Sequence, residues 1–391
     1  MKCPCVVRAA RLLLAGLLFA PWVHVAAEPA MQWSVEEIRQ IQLHGPWPPP
    51  LAPDPSNRVS GHAAAVAFGE RLFFSPRLSG GGLLCASCHA PWRGFVDGRD
   101  RAQGLGRGDR NTPTLWNVRF NQWFGWDGAH ESLWAQSIRP LFEPREMGSS
   151  PSALAALIRR DAGFAADYQS AFGRTPPDED ALLVADLGKA LAAFQETLVS
   201  PPGAFDQMRE ALAAGASAPP PYPQSAQRGL RLFIGRAGCA TCHAGPLFSD
   251  GRFHPSAIAS VTTAGVPDTG REAAIAVLNS NPYRRRGRFD DAAGSADPLP
   301  AILTAVPGSA NSGAFRTPGL REVAATGPYM HDGSVARLCD TLRPHAFDPE
   351  GPAPAPALSP EDRRDLVAFL RSLSAPTDPV LVPEVNFRCS E

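Results

Sequence analysis

The sequence predicts a mostly α-helical fold made of two similar halves, and three observations carry that expectation. A short cysteine motif occurs twice, as Cys85-Ala86-Ser87-Cys88-His89 and as Cys239-Ala240-Thr241-Cys242-His243. The flanks repeat with it: Arg71-Leu72-Phe73 and Arg231-Leu232-Phe233 precede the two copies, while Phe95-Val96-Asp97-Gly98-Arg99 and Phe248-Ser249-Asp250-Gly251-Arg252 follow them. Elsewhere apolar residues recur at helical spacing, whereas strand signals are weak and scattered.

C-x-x-C-H is the spacing at which two thiols add to the two vinyl groups of one haem while the adjoining imidazole reaches the iron. A zinc half-site would want four ligands from paired knuckles, and a redox C-x-x-C does not need the trailing histidine. Each copy therefore predicts one covalently bound haem c, attached through Cys85 and Cys88 with His89 on iron, and through Cys239 and Cys242 with His243 on iron. The halves look like duplicated cytochrome c units, giving two cytochrome c-like haem domains with long irregular loops.

The chain order follows from local signals. Lys2, Arg8 and Arg11 precede the apolar run Leu12 to Val23 and the small-residue stretch Val25-Ala26-Ala27. This reads as a signal peptide over 1–27, too short to span a bilayer, and predicts export to the periplasm with no membrane span after cleavage. At 391 residues with 44% hydrophobic composition the chain is long enough for two domains, and a net charge of −1 gives no basic footprint for nucleic acid. The N-terminal haem domain is expected over 28–211, a linker rich in Ala, Gly, Ser and Pro over 212–225, and the C-terminal haem domain over 226–391.

Within them, Pro46 to Pro55 should be an extended surface lead-in, followed by helical spacing from His62 to Phe74. Ser152 to Phe172 and Asp180 to Val199 read as amphipathic helices, and Pro255 to Gly313 as the longest irregular loop. Ser359-Pro360-Glu361-Asp362 opens a terminal helix through Ser372, with a capping serine, a first-turn proline and acids at the positive dipole end. Of the eight cysteines, Cys3 and Cys5 leave with the signal peptide and four attach haem, so Cys339 and Cys389 remain to pair in an oxidising compartment.

The repeat extends further. Asn111-Thr112-Pro113 echoes Arg316-Thr317-Pro318, and thirteen residues beyond each proline stand Trp126-Asp127-Gly128 and His331-Asp332-Gly333. Trp126 and His331 thus occupy equivalent positions. Together with Pro144-Arg145-Glu146-Met147-Gly148 and Gly327-Pro328-Tyr329-Met330, these motifs resemble the bacterial di-haem cytochrome c peroxidase family, which includes the MauG-type oxidases, over nearly all of His62 to Ser372. The resemblance implies a first haem that reacts with hydrogen peroxide, a second that handles electrons, and a calcium ion between them. It makes Glu146 the distal carboxylate, with Gln136 and Pro140 just before it, and Trp126 the tryptophan between the haems. Asn111, Thr326 and Pro328 match the calcium site. On the residues alone, Glu146 reads first as an ion-pair partner of Arg139 or Arg145, a reading the motif match reverses, and Trp126 as a core aromatic.

Two departures from the family bear on mechanism. Members that need reductive activation carry a histidine between the first haem motif and the Arg-Asn-x-Pro stretch, and here Ala90 to Asp109 holds none. The first haem is then expected to be five-coordinate with an open face. Family peroxidases place a methionine on the second haem fourteen residues after the His-Asp-Gly histidine, and MauG a tyrosine; here that position is His345. His243/His345 ligation is expected, with Met330 as the rival. Gly319 and Glu322 also stand where the family has Thr and Asn.

The expected function is reduction of hydrogen peroxide with electrons from a periplasmic donor, a small cytochrome c or cupredoxin. An alternative is MauG-like oxidation of a Trp or Tyr in a partner protein. From another class comes a non-catalytic di-haem electron carrier, which Glu146, Gln136 and the missing histidine disfavour, since a carrier needs no open distal pocket. Monomer and homodimer are both compatible with the sequence.

Overall fold

The computed structural model describes residues 31–215, 221–292, 311–343, 357–375 and 389. The export segment 1–27 and His345 lie outside the described residues. Helices dominate: α1 Val35–Gln42, α2 Ala63–Phe73, the single turn α3 Cys85–Cys88, α4 Leu133–Phe142, α5 Pro151–Arg160, α6 Ala162–Phe172, α7 Asp180–Gln195, α8 Ala204–Ala213, α9 Gln224–Ile234, α10 Arg271–Ser280 and α11 Pro360–Arg371. The described sheet is two short antiparallel strands, β1 Phe253–Pro255 and β2 Ala314–Arg316, with Phe253 opposite Arg316.

Each half is organised by one close helix crossing. In the first, α2 packs on α7, and Gly69 lets them meet: a β-carbon there would lie 1.9 Å from the Ala190 carbonyl oxygen. In the second, α9 packs on α11, and a β-carbon on Gly229 would lie 2.0 Å from the Asp365 carbonyl. Gly69 and Gly229 each stand two residues before the repeated Arg-Leu-Phe, so the duplication extends to the contact that closes each helix pair. Any side chain at either position would force the backbones apart and lose interior packing.

Two main cores follow. One runs from Val59 to Leu198 around Phe68, Phe73, Tyr168 and Leu187. The other gathers Phe205, Phe233, Phe248, Leu338 and Phe369, and takes Ile41 from α1 as well as Phe205 and Met208 from α8. Cys339 and Cys389 are disulfide-bonded, with Cα atoms 5.2 Å apart, and Cys339 is buried in this second core.

Several sequence expectations are corrected. The helix expected over Ser152 to Phe172 is two helices, α5 and α6, because Asp161 sits in extended conformation, ending one and capping the next by accepting from the Phe164 N–H. Helix α7 is not amphipathic: every residue from Leu183 to Gln195 is buried, since α2, α4 and α5 all pack on it. The proline-rich lead-in is not all surface. Trp47 is buried, donates Nε1–H to the Ser200 carbonyl at 2.9 Å, and lies 3.7 Å under the Arg321 guanidinium. The loop from Pro255 to Gly313 contains α10 and ends in β2. The terminal helix forms as expected, with Ser359 and Asp362 capping each other's backbone.

Candidate haem sites and the seam between them

The two motifs adopt matching geometry. His89 Nδ1 lies 3.1 Å from the Phe95 carbonyl, and His243 Nδ1 lies 3.0 Å from the Phe248 carbonyl. Both phenylalanines hold left-handed backbone, φ 59° and 55°, which turns the carbonyl back toward the imidazole. An Nδ1–H given to a carbonyl fixes the tautomer and leaves Nε2 as the ligating nitrogen. Burial pushes the Cys85 thiol up to about 12, and Cys88 and Cys239 up to about 11. Such thiols stay protonated in the chain without a ligand. Two free thiols beside an oriented imidazole, present twice, fit two thioether-bound haems.

Around the first motif, Glu146 is a carboxylate whose charge reaches the motif side chains. Its Oε1 lies 2.6 Å from Arg139 Nη1, and its charge acts on both Cys88 and His89. The loop from Ala102 to Gly108 supports it. A β-carbon on Gly104 would lie 2.7 Å from the Glu146 Cα, and the Leu105 N–H donates to the Glu146 carbonyl at 3.1 Å. Gln136, on α4, bonds the side chain of His130, which burial holds down to about 4. Arg139 carries the charges of Glu146, Glu143 and Asp127 around it.

The second motif is held by a strap that sequence reading missed. His44 stacks on Phe248 with ring centroids 4.5 Å apart and places Nδ1 3.2 Å from the Gly245 carbonyl. Arg321 donates Nε–H to the Pro246 carbonyl at 2.6 Å and forks onto Asp206 at 2.8 and 2.9 Å, with both side chains buried. The loop after His243 is thereby pinned from α8 and from the segment after α1. Arg321 lies inside the repeated Thr-Pro stretch, a signal that could have drawn attention to it; no local signal marks His44 or Trp47.

The halves meet across a pseudo-twofold seam. The Asn111 N–H donates to the His331 carbonyl at 2.8 Å, and at the equivalent position the Arg316 N–H donates to the Trp126 carbonyl at 2.8 Å. Each Thr-Pro segment thus bonds the other half's turn. Trp126 also donates Nε1–H to the Asn111 carbonyl at 2.9 Å, and the His331 ring stacks on Phe315 at 3.7 Å. Asn117 and Glu322, again equivalent, hold φ 65° and 62°, and both side chains bond Ser200. The Glu322 carboxyl also accepts from the Ala375 N–H, which offsets the strain of a glutamate in left-handed backbone.

Asn111 and Thr326 face the same seam. The Asn111 amide donates to the Arg99 carbonyl at 2.9 Å, while the Thr326 methyl would lie 3.3 Å from a β-carbon on Gly94. Pro328 follows in the partly buried turn before His331. Among the described residues, Cys242, Asp250 and His254 form the one cluster of His, Cys, Asp or Glu with metal-ligand spacing, and it shares Cys242 with the second haem motif.

A family model described as di-haem cytochrome c peroxidase matches residues 63–213. The methylamine utilization protein MauG of Methylorubrum extorquens is 34% identical over 334 residues, covering 82% of this chain and 81% of that protein. The chain belongs to the di-haem cytochrome c peroxidase family. It is therefore an oxidoreductase of the peroxide-using, haem c type. Cytochrome-c peroxidase IdrP1 of Denitromonas iodatirespirans is 32% identical over 351 residues, 85% of this chain and 88% of that one. A crystal structure of a MauG-like protein associated with microbial copper homeostasis superposes with TM-score 0.60 at 26% identity, covering 88% of this chain and 99% of that one. Among the described residues, no helix is long and apolar enough to cross a membrane.

Proposed function

We propose that this family member reduces hydrogen peroxide at the haem held by His89, with Glu146 as the proton-transfer group. One observation carries the reading: a carboxylate fixed by Arg139 lies close enough to the first motif for its charge to act on Cys88 and His89. Haem iron, when bound, would supply the site for peroxide oxygen and deliver electrons to it, the peroxide being the two-electron oxidant. The chain's residues handle the protons. Glu146 accepts one from the bound peroxide and returns it to the departing oxygen, and Arg139 keeps the carboxylate in place between those steps. Gln136 bonds His130, whose ring also feels the charge of Arg139. Trp126, whose indole bonds Asn111 and whose carbonyl bonds Arg316, is the relay between haems, with electrons entering at the second haem from a periplasmic cytochrome c or cupredoxin. His345 would hold that haem as its second protein ligand, with Met330 as the alternative. Calcium binds at the seam through Asn111, Thr326 and Pro328, where oxygen donors suit it.

The test is to mix peroxide with the oxidised, unreduced di-haem protein. With no histidine from Ala90 to Asp109, the high-spin haem should react at once; a purely low-spin, unreactive protein would instead be an electron carrier. The missing histidine together with 34% identity to a MauG protein also favours oxidation of a Trp or Tyr in a partner protein. Peroxide-dependent modification of such a partner, without any added electron donor, distinguishes that reading.

A further inference from the structure

Other arginines withdrawn from water in this protein have acids acting on them. Arg110 is clamped by Asp127 and Asp268 and Arg321 by Asp206, while the buried Arg271 donates to the Asp127 and Gly128 carbonyls with the charges of Asp127 and Glu131 acting on it. Arg316 departs from this rule. Its Nε is buried with no hydrogen-bond partner, and Nη1 reaches only the Thr317 carbonyl at 3.2 Å and Asn121 Oδ1 at 3.5 Å. Burial alone holds its pKa down to about 10, with no acid among the described residues acting against it. A guanidinium removed from water without an anion costs far more than one that is paired. Its planar fork suits a carboxylate.

The surroundings say which carboxylate. Arg316 ends β2, whose partner β1 continues directly from the loop that follows His243. The next residue is tied to the same loop: the Thr317 N–H donates to the Arg252 carbonyl at 2.9 Å, and Ser249 Oγ donates to the Thr317 carbonyl at 2.7 Å. At the equivalent place in the first half stands Asn111, whose amide is already engaged with the Arg99 carbonyl. The demand for an anion is thus specific to the second half.

We infer that Arg316 binds a propionate carboxylate of the haem attached through Cys239 and Cys242, an inference that rests on the di-haem reading of the two motifs. The cation disfavours the ferric form, which carries one more positive charge, and so raises the potential of the electron-entry haem. Because the Arg316 N–H also donates to the Trp126 carbonyl, the residue that sets this potential is joined to the proposed relay.

The experiment is a spectroelectrochemical titration of the di-haem protein and of Arg316→Gln, with haem counted by pyridine haemochrome on the same samples. The low-spin haem of the variant should shift so that, at a fixed potential, its reduced-to-oxidised ratio falls about tenfold, equivalent to about 59 mV for one electron. Two haems per chain with an unmoved midpoint would overturn the proposal. Fewer than two haems in the unaltered protein would instead sink the di-haem reading on which it stands. A solution anion is separated by titrating chloride and acetate at constant ionic strength: a midpoint that follows anion concentration means Arg316 holds a free anion and the proposal is wrong. Where Arg316→Gln does not load haem, Arg316→Lys supplies the test. Its propionate bending band in the resonance Raman spectrum should shift from that of the unaltered protein, and an unshifted band counts against propionate binding.

Discussion

Replacing Glu146 by Gln keeps the side chain's size and removes its charge, and the structure separates what this does to stability from what it does to rate. The Glu146 and Arg139 side chains are 28% and 43% exposed, with 2.6 Å between charged atoms. A pair that open to solvent contributes at most about 1 kcal/mol, so the denaturation midpoint should hardly move. A positioned proton-transfer group is worth about 10²- to 10⁴-fold in rate, or roughly 2.7 to 5.4 kcal/mol of barrier. Stopped-flow mixing of the di-haem protein with peroxide should therefore show Glu146→Gln slowed by at least about 100-fold, with haem content and unfolding nearly unchanged. Arg139→Leu leaves the carboxylate and removes its anchor, so a smaller loss is expected, about tenfold, from imprecise positioning. An unaltered rate in Glu146→Gln would reduce that residue to an ion-pair partner. A rate loss matched by a collapse in stability would equally refute the reasoning.

Other consequences can be checked separately. Asp206→Ala strands the buried Arg321 guanidinium and should cost about 3 to 5 kcal/mol in chemical denaturation; a change under about 1 kcal/mol would mean water or another group satisfies it. The Cys339–Cys389 bond spans 50 residues, and the Cys339→Ser/Cys389→Ser pair should lose about 4 kcal/mol by chain entropy, read from denaturation of both forms without reductant. His44 and His130 are held down to about 4 by burial. A folded pKa below the unfolded value of about 6.5 means the unfolded chain takes up protons first, so stability falls as pH drops from about 6.5 toward 4, by up to roughly 1.4 kcal/mol per pH unit for each histidine. Replacing His44 with Gln should flatten that slope, and an unchanged slope would contradict the assignment. Trp126→Phe removes the indole N–H given to the Asn111 carbonyl and should slow electron transfer between haems while leaving both spectra intact, as followed by flash reduction of the second haem.

What the sequence determined on its own is whatever acts over a few residues. C-x-x-C-H spans one turn, so the motif is legible without the fold, and its second copy with matching flanks made the duplication and the expectation of two haems visible. The capping box at Ser359 and Asp362 set the start of the last helix for the same reason. The family motifs directed attention to Glu146, and the structure decided between its two candidate partners in favour of Arg139, seven residues away. Tertiary structure alone decided the rest, because it depends on which surfaces meet across a hundred residues or more. Asp161 divides a helix whose apolar spacing runs on unbroken, since a capping carboxylate and two different packing directions outweigh periodicity. Trp47 reads as part of a surface proline stretch, yet it is buried because the Arg321 guanidinium needs a face to lie on. His44 comes to rest behind the second haem motif, 201 residues from the carbonyl it touches. The reciprocal bonds of Asn111 to His331 and of Arg316 to Trp126 exist only once two similar halves fold against each other. Equivalence between those positions was written in the spacing, but the crossing of their hydrogen bonds was not, because a repeat fixes what each half resembles and only packing fixes what it touches.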